Sequence, residues 1–295
     1  MTTQFPLPEI GAETFGDITE DADGNPLSHA QVIRNVITEG QQAEASNLDF
    51  FGVGEHHRDD YAISSPEIVL AALASTTQRI KLGTAVTVLS SDDPVRVYER
   101  FATLDAISNG RTEIIAGRGS FIESFPLFGL DLEDYEDLFE EKLHLLAKLC
   151  LAIIGGQPSA FEGLATLYRR ALEEFGQEQL PVSAHFHGLV AGSDEEALET
   201  LWPHYQRTMN RLGAERGWPP ASKMRLQASM GPEGAMMAGS PDTVARKMAK
   251  VAQQLGLSRV DIKYSAGSLP HEAMLESIKL LGEEVKPRVH QLLGA

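Results

Sequence analysis

Short runs of apolar, mostly branched residues alternate with helical segments along almost the whole chain. The clearest strand candidates are residues 9–15, 48–55, 80–89, 112–117, 181–191 and 259–265. Serine and proline residues typical of helix starts follow several of them, as in Ser64-Ser65-Pro66. This alternation favours parallel strands covered by helices. Because the chain has 295 residues, the pattern predicts an α/β fold of the (β/α)8 barrel type, organised as one domain over residues 1–295.

The alternation breaks after the helix that begins near Tyr135. This helix continues into Leu151–Ile154 without Gly, Pro or Asn, and the first stop signal is Gly155-Gly156. Two interpretations are open. Residues 135–154 form one helix, or Leu151–Ile154 is a strand whose preceding connection is missing. The second interpretation gives seven clear strands and a barrel that lacks one β/α unit around residues 150–151.

Composition limits the partners that this chain can have. Its formal net charge is −17 and its pI is about 4.9, so its surface repels nucleic acid and anionic lipid. No apolar run approaches the roughly 18 residues of a membrane span, and the N-terminus does not resemble a signal peptide. The lone Cys150 permits no intrachain disulfide, which fits a reducing compartment. We therefore expect a cytoplasmic protein that does not bind nucleic acid or membranes.

An acid and two histidines end the second strand candidate. Glu55, His56 and His57 directly follow an apolar run. In parallel barrels, the carboxyl ends of the strands surround the ligand-binding mouth. Because neighbouring residues of a strand alternate in direction, one imidazole points into the mouth, where it can act as a general base near neutral pH. The alternative is a capped strand end with solvated imidazoles.

A second pair of histidines, His185 and His187, lies two residues apart in a strand candidate, so both face the same side of the sheet. They reach the mouth if that side is the barrel interior; otherwise they are external or hydrogen-bonded. Together with Glu55-His56-His57, they suggest the alternative of a barrel metallohydrolase. The acid required from the last strand would be Asp261, which lies near the wrong end of that strand. We therefore predict no bound metal.

Arg118 stands between Gly117 and Gly119 at the end of the fourth strand candidate. Small neighbours let a large anionic ligand approach the backbone, and a guanidinium group suits phosphate. The alternative is an ion pair between Arg118 and one of the nearby acidic residues. The segment is therefore a candidate phosphate site.

In their order and spacing, six segments resemble the bacterial luciferase-like flavin-dependent monooxygenases. They are G-E-H-H at 54–57, L-G-T-A-V at 82–86, S-D-D-P-V-R-V-Y-E-R-F-A-T-L-D at 91–105, I-S-N-G-R at 107–111, A-G-R-G-S at 116–120 and G-S-P-D-T-V-A at 239–245. Each segment alone is a weak signal, but together they are specific and span nearly the full chain.

The resemblance implies an FMN-binding barrel enzyme, in which reduced FMN from a separate reductase and oxygen oxidise a small organic substrate. His56 matches the histidine that serves as a base near the flavin. The pair Ala85 and Val86 matches a non-prolyl cis peptide behind the isoalloxazine ring. Arg118, in the segment Gly117-Arg118-Gly119, matches the arginine that approaches the flavin phosphate. The resemblance also implies a homodimer, with the flavin reductase as a transient partner.

The chain departs from this family at Cys150–Leu151. Relatives place a further strand and helix there, usually with a Gly-rich turn and hydroxyl residues that hold the flavin phosphate at a helix N-terminus. Two other functions stay open: a non-catalytic flavin-binding protein, and a deazaflavin-dependent hydride-transfer enzyme of the same fold. In each case we expect residues 120–134 and an irregular excursion over residues 214–238 to cover the mouth.

Overall fold

The structure, a computed structural model, describes residues 7–119, 121–143, 150–153, 156–174 and 181–294. Its strands and helices alternate along the chain. In order, they are β1 (Glu9–Thr14), α1 (His29–Ala45), β2 (Phe50–Val53), α2 (Pro66–Thr76), β3 (Lys81–Thr84), β4 (Thr87–Val88), α3 (Pro94–Ser108), β5 (Thr112–Glu113), β6 (Ala116–Gly117), α4 (Ser124–Phe128), α5 (Tyr135–Leu143), β7 (Cys150–Ile153), α6 (Glu162–Glu174), β8 (Ser183–Val190), α7 (Asp194–Arg216), α8 (Lys223–Met230), β9 (Met237–Gly239), α9 (Pro241–Leu255), β10 (Arg259–Lys263), α10 (His271–Leu280) and α11 (Lys286–Leu292).

The main sheet has the strand order β5-β3-β2-β1-β10-β8-β7, and β9 pairs with β8. Every pair in it is parallel, so the carboxyl ends of the strands lie at one edge. The last strand, β10, lies beside the first, β1, as in a closed barrel. β4 and β6 form a second parallel pair just beyond β3 and β5. The predicted α/β barrel architecture is confirmed.

The strand interpretation of the break near Cys150 is also confirmed. Residues 150–153 form β7, which pairs in parallel with β8, so the prediction of one helix over residues 135–154 is wrong. The ladder with β8 is a tertiary interaction, which local sequence does not show. Only residues 144–149, which lie outside the described residues, separate α5 from β7, and six residues cannot supply a further strand and helix.

Two other predictions need correction. The candidate strand 80–89 is interrupted between β3 and β4, where the peptide bond between Ala85 and Val86 is cis, as the resemblance implies. The excursion 214–238 is not irregular, because it contains α8 and leads into β9. Buried Leu226 and Met230 anchor α8, and Met237 pairs with Gly188. These tertiary contacts outweigh the local turn signals.

The predicted C-terminal helix is interrupted upstream of Pro287 rather than at it. A π-helical turn, Leu281–Val285, joins α10 to α11. Because Pro287 has no backbone N–H, the preceding turn cannot complete its regular hydrogen bonds. None of the described helices is long and apolar enough to cross a membrane.

The ring of Phe50 fills the middle of the barrel interior. A Cβ atom added to Gly83, Gly52 or Gly11 would lie 2.7, 2.9 or 3.0 Å from this ring, so three glycines in neighbouring strands make room for it. The guanidinium carbon of Arg259 lies 3.9 Å from the ring centroid. Phe50 therefore separates the amino end of the interior from its carboxyl end.

Five charged residues form a cluster at the amino end of the interior, which we call the amino-end cluster. Its members are Glu9, Lys81, Glu113, Arg259 and Asp261. Arg259 bonds Glu113 at 2.5 Å and Asp261 at 3.0 Å, and Lys81 bonds Glu9 at 2.5 Å. Burial raises the pKa of Asp261 to about 6, although Arg259 opposes the shift.

Candidate active site

His56 lies just beyond the carboxyl end of β2. The backbone there is fixed by two hydrogen bonds, from Gly54 N–H to the Thr14 carbonyl (2.8 Å) and from His56 N–H to the Ile63 carbonyl (3.0 Å). Arg118 directly follows β6, whose parallel partner β4 continues the direction of β3. His56 and Arg118 therefore lie at the same end of the barrel, which we call the mouth.

Three aromatic rings enclose the imidazole of His56. Its centroid lies 5.0 Å from that of Phe15, 4.3 Å from that of Tyr61 and 4.9 Å from that of Phe121. Only 7% of His56 is exposed. The alternative of a solvated strand-end imidazole is therefore wrong for His56, which is held in an aromatic enclosure.

Glu123 orients the ring of His56. One carboxylate oxygen, Oε1, lies 3.4 Å from His56 Nδ1, and the other, Oε2, is buried and has no hydrogen-bond partner among the described residues. Burial alone would raise the pKa of Glu123, but hydrogen bonds with His56 and with backbone amides lower it. A carboxylate therefore faces His56, and one of its oxygens is left without a hydrogen-bond partner among the described residues.

Both segments that we expected to cover the mouth contact the enclosure. Phe121 lies between two guanidinium groups, since the guanidinium carbons of Arg58 and Arg216 are each 4.9 Å from its centroid. Arg58 also bonds Glu215 at 2.9 Å. The loop after β2, the segment after β6 and the end of α7 therefore hold Phe121 over His56.

Glu55 and His57 face the neighbouring strand rather than the enclosure. His57 Nε2 lies 2.8 Å from Glu55 Oε1, and the Val88 N–H donates to Glu55 Oε2 at 3.3 Å. Burial raises the pKa of Glu55, and these two hydrogen bonds oppose the shift only in part. Glu55 thus connects the end of β2 to β4, and His57 supports its carboxylate.

The cis peptide between Ala85 and Val86 lies between β2 and β6. Ala85 N–H donates to the Val53 carbonyl at 3.0 Å. A side chain at Gly117 would collide with Val86, and one at Gly54 would lie 2.8 Å from the Ala85 carbonyl oxygen. Gly54 and Gly117 therefore let three strands approach closely beside the mouth.

Arg118 forms an ion pair rather than standing free. Its Nη1 donates to both carboxylate oxygens of Glu136, at 2.6 and 2.8 Å. Its guanidinium carbon lies 5.9 Å from the Tyr135 ring centroid, and 49% of the side chain is exposed. The ion-pair alternative thus describes its contacts in the structure, and a phosphate bound at Nη1 would compete with Glu136.

The second pair of histidines faces the barrel interior. His185 stacks on Phe15, with centroids 6.1 Å apart, and its Nδ1 contacts the buried carboxylate of Glu13. His187 lies edge-on to His185 at 6.0 Å. Burial lowers the pKa of His185 well below its usual range and that of His187 to about 3. Because Phe15 contacts both His185 and His56, this pair belongs to the mouth.

The ion pair between Lys263 and Asp17 was not predicted from the sequence. Lys263 Nζ bonds Asp17 Oδ2 at 3.0 Å and lies 4.6 Å from the Phe15 centroid. Burial alone would raise the pKa of Asp17, but Lys263 and Ser265 outweigh it and lower the pKa. A signal existed: charged residues alternate with Val260 and Ile262 along β10, which places Lys263 on the inner face.

Two other polar regions of the molecule are occupied by contacts within the protein. Asp261 belongs to the amino-end cluster, and the described residues contain no group of three side chains positioned to hold a metal. A cleft of about 880 Å³ lies outside the sheet, between α7, α8 and α9. In this cleft Lys223 bonds Glu199 at 2.5 Å, and Lys247 bonds backbone carbonyls, among them that of Met230 at 3.1 Å. Both cations are thus engaged by protein groups.

The arrangement defines an α/β barrel whose mouth holds an enclosed histidine beside a cis peptide. Residues 14–152, slightly less than half of the chain, match the luciferase-like monooxygenase family. Over 150 residues the chain is 38% identical to limonene 1,2-monooxygenase of Rhodococcus erythropolis, and this match covers 50% of the chain and 38% of that protein. The chain thus aligns with little more than a third of that relative.

The similarity of fold extends over nearly the whole chain. The oxygenating constituent of 3,6-diketocamphane monooxygenase from Pseudomonas putida, solved in complex with FMN, matches with a TM-score of 0.70 and 17% identity, covering 96% of this chain and 99% of that one. A coenzyme F420-dependent tetrahydromethanopterin reductase from Methanopyrus kandleri matches with a TM-score of 0.65 and 16% identity, covering 96% and 99%. The predicted resemblance to luciferase-like monooxygenases is confirmed.

Proposed function

We propose that this protein is a flavin-dependent monooxygenase that uses reduced FMN and oxygen to oxidise a small organic substrate. The observation that supports this most strongly is the position of His56. It is enclosed by aromatic rings at the carboxyl end of a parallel barrel, beside the cis peptide of Ala85 and Val86. The family match over residues 14–152 includes all three of these residues.

The residues of the mouth fit the ring system of a flavin better than its phosphate. Aromatic side chains and the backbone at Ala85 and Val86 offer flat apolar surfaces, and the unpartnered Oε2 of Glu123 can accept a hydrogen bond from a ligand N–H or O–H group once the ligand displaces the groups that cover it. Arg118, flanked by Gly117 and Gly119, can bind the phosphate once Glu136 is displaced.

The protein's own part in the reaction is to position groups, move a proton and exclude water. When bound, reduced FMN supplies the two electrons with which oxygen yields one atom to the substrate and one to water. With Glu123 at Nδ1, a neutral His56 carries its proton on that nitrogen, which leaves Nε2 to take or return a proton. Phe121, held by Arg58 and Arg216, keeps bulk water away.

The test combines flavin binding with turnover in wild-type protein and His56→Ala. We expect both proteins to bind reduced FMN under anaerobic conditions with dissociation constants that agree within about threefold. After oxygen is admitted, product formation from a panel of terpenes, aldehydes and ketones should fall about 10²- to 10⁴-fold in the variant, the usual contribution of a general base.

His290→Ala is the matched control, because His290 bonds the Pro8 carbonyl before β1, at the opposite end of the barrel. It should bind FMN and turn over like the wild type. A wild type that does not bind reduced FMN, or a His56→Ala variant that is as active as His290→Ala, would overturn the proposal. FMN binding without oxidation of any compound would instead support the non-catalytic flavin-binding alternative.

The second candidate is hydride transfer from a reduced deazaflavin. The fold similarity to an F420-dependent reductase favours it. Titration with reduced F420 in parallel with reduced FMN separates the two candidates, since the cofactor in use should bind at least about tenfold more tightly. We further propose, from the family resemblance alone, that a separate reductase supplies the reduced FMN, that the protein is a homodimer, and that it acts in the cytoplasm.

A further inference from the structure

His187 lies among polar side chains of the mouth that are held by other protein groups. His185 is held by Glu13, Lys263 by Asp17, and His56 faces Glu123. Neither ring nitrogen of His187 forms a hydrogen bond with any of the described residues. The side chain is only partly buried, so it remains open to a ligand.

The position of His187 connects it to the rest of the mouth. It pairs in register with Lys263 of β10 and lies edge-on to His185. Both of these residues contact Phe15, and the same ring also contacts His56. One aromatic ring therefore separates the surroundings of His187 from the proposed general base.

The chemistry around His187 limits what it can bind. Burial and the ammonium group of Lys263 lower its pKa to about 3, so the ring is neutral at working pH and offers one donor and one acceptor. Lys263 and Asp17 pair with each other at 3.0 Å, so neither offers a free charge to a charged group beside His187. The neutral ring is therefore matched by a neutral group, such as the oxygen of a carbonyl or hydroxyl.

We infer that His187 hydrogen-bonds the oxygen of a neutral carbonyl or hydroxyl group on an otherwise apolar substrate. His187 is thus a residue that determines substrate specificity, while Phe15, Tyr61 and Phe121 favour apolar surface on the remainder of the molecule. This inference deepens the proposed function and rests on it, since it takes the ligand of the mouth to be the substrate.

The test compares two pairs of probes that differ only by an oxygen atom in place of a methylene group. They are cyclohexanone with methylenecyclohexane, and 2-undecanone with 2-methyl-1-undecene. Calorimetric titrations would use wild-type protein, His187→Phe, His187→Gln and the distant control His290→Phe, each with and without oxidised FMN. Flavin binding is measured separately on the same samples.

We expect the wild type to bind at least one ketone about tenfold more tightly than its hydrocarbon counterpart. This preference should be lost in His187→Phe, partly recovered in His187→Gln and unchanged in His290→Phe, while FMN affinity stays within about twofold in all four proteins. In samples with ¹⁵N-labelled histidine, the ketone but not the hydrocarbon should shift the His187 ring-nitrogen resonances.

Equal affinity of the wild type for ketone and hydrocarbon, or no binding of either, would overturn this inference. So would a parallel loss of affinity for both probes in His187→Phe, because that result indicates a role in shape alone. Failure of the proposed function would give different results. Reduced FMN would not bind, or His56→Ala would stay active, whether or not the protein prefers the ketone to the hydrocarbon.

Discussion

Both ends of the barrel interior contain buried polar side chains, but the two ends differ in how far these side chains are paired with other protein groups. At the amino end, the charged groups of the amino-end cluster neutralise one another, with Arg259 between Glu113 and Asp261. At the mouth, the two inward imidazoles of β8 are neutral. There His187 lacks a protein partner among the described residues, and so does Oε2 of Glu123.

This difference distinguishes a structural polar cluster from a binding site in the same sheet. Buried charges are tolerated when partners compensate them, and a compensated cluster has little capacity left for a ligand. Polar atoms without partners cost stability, so their concentration at the end with the enclosed histidine favours a functional role there. At the amino end, Oδ1 of Asp261 is also buried without a hydrogen-bond partner among the described residues. Burial of this carboxyl group raises the pKa of Asp261.

The largest expected effect is on stability, from Arg259→Ala. The change leaves the fully buried Asp261 without its cation, and breaking a buried pair in this way costs about 3–5 kcal/mol. Glu113 keeps Lys81 at 3.5 Å. Urea unfolding measures the loss. Arg246→Ala is the control, because Arg246 pairs with Asp242 on the exposed face of α9 and should cost less than about 1 kcal/mol. Equal losses in the two variants would contradict a structural role for the amino-end cluster.

A smaller loss is expected from Gly83→Ala, which tests the separation of the two ends by Phe50. The added methyl group would lie 2.7 Å from the Phe50 ring and 2.8 Å from the Glu113 carbonyl oxygen. Overpacking of this kind costs about 1–3 kcal/mol. Gly163→Ala in α6 meets no atom within 4 Å and should stabilise the protein by about 0.5–1 kcal/mol. If both substitutions stabilise the protein, the packing around Phe50 leaves room for a methyl group at position 83, and the close contact is contradicted.

The smallest effects concern pH, and the two ends should respond in opposite directions. The pKa of Asp261 is raised to about 6 from the ordinary 3.8, so the folded state keeps a proton that the unfolded chain loses first. Its contribution to stability is full below about pH 4 and is lost as the pH rises to 6. Asp261→Asn should remove this dependence, whose slope is about 1 kcal/mol per pH unit between pH 4 and 6.

At the mouth, the pKa of His187 is lowered to about 3 from 6.5, so the unfolded chain takes up a proton first. The contribution of His187 is therefore present above pH 6.5 and is lost as the pH falls. Relative to His187→Phe, the wild type should lose about 1 kcal/mol between pH 6.5 and 5, reduced from the full slope because the ring is partly exposed. Urea unfolding at a series of pH values measures the free energy of unfolding for both variants. If it changes with pH equally in the wild type and in a variant, the pKa shift assigned to that residue is contradicted.

The fold was more predictable from the sequence than the contacts of the site. Helix caps, branched runs and their alternation are local signals, which is why α3 and α9 begin at the expected proline residues. The strand β7 and helix α8 were uncertain or missed because pairing and packing with distant segments decide them. His56 could be placed by its position after β2, whereas its aromatic enclosure depends on Phe121 and Tyr61, which local sequence does not connect to it.

The pairing of Arg118 with Glu136 was one of two alternatives that the sequence left open, because charges alone do not choose between an ion pair and a phosphate. The ion pair of Lys263 with Asp17 was missed for a similar reason. It joins residues 246 positions apart, and only the closing of β10 onto β1 brings them together.

The most direct test of the central claim is a crystal structure of the protein grown with FMN. We predict an isoalloxazine ring against the backbone of Ala85 and Val86, within reach of His56, and a phosphate group bound by Arg118 in place of Glu136. A flavin in the cleft between α7, α8 and α9, or a mouth that stays closed to flavin at saturating concentration, would contradict the account.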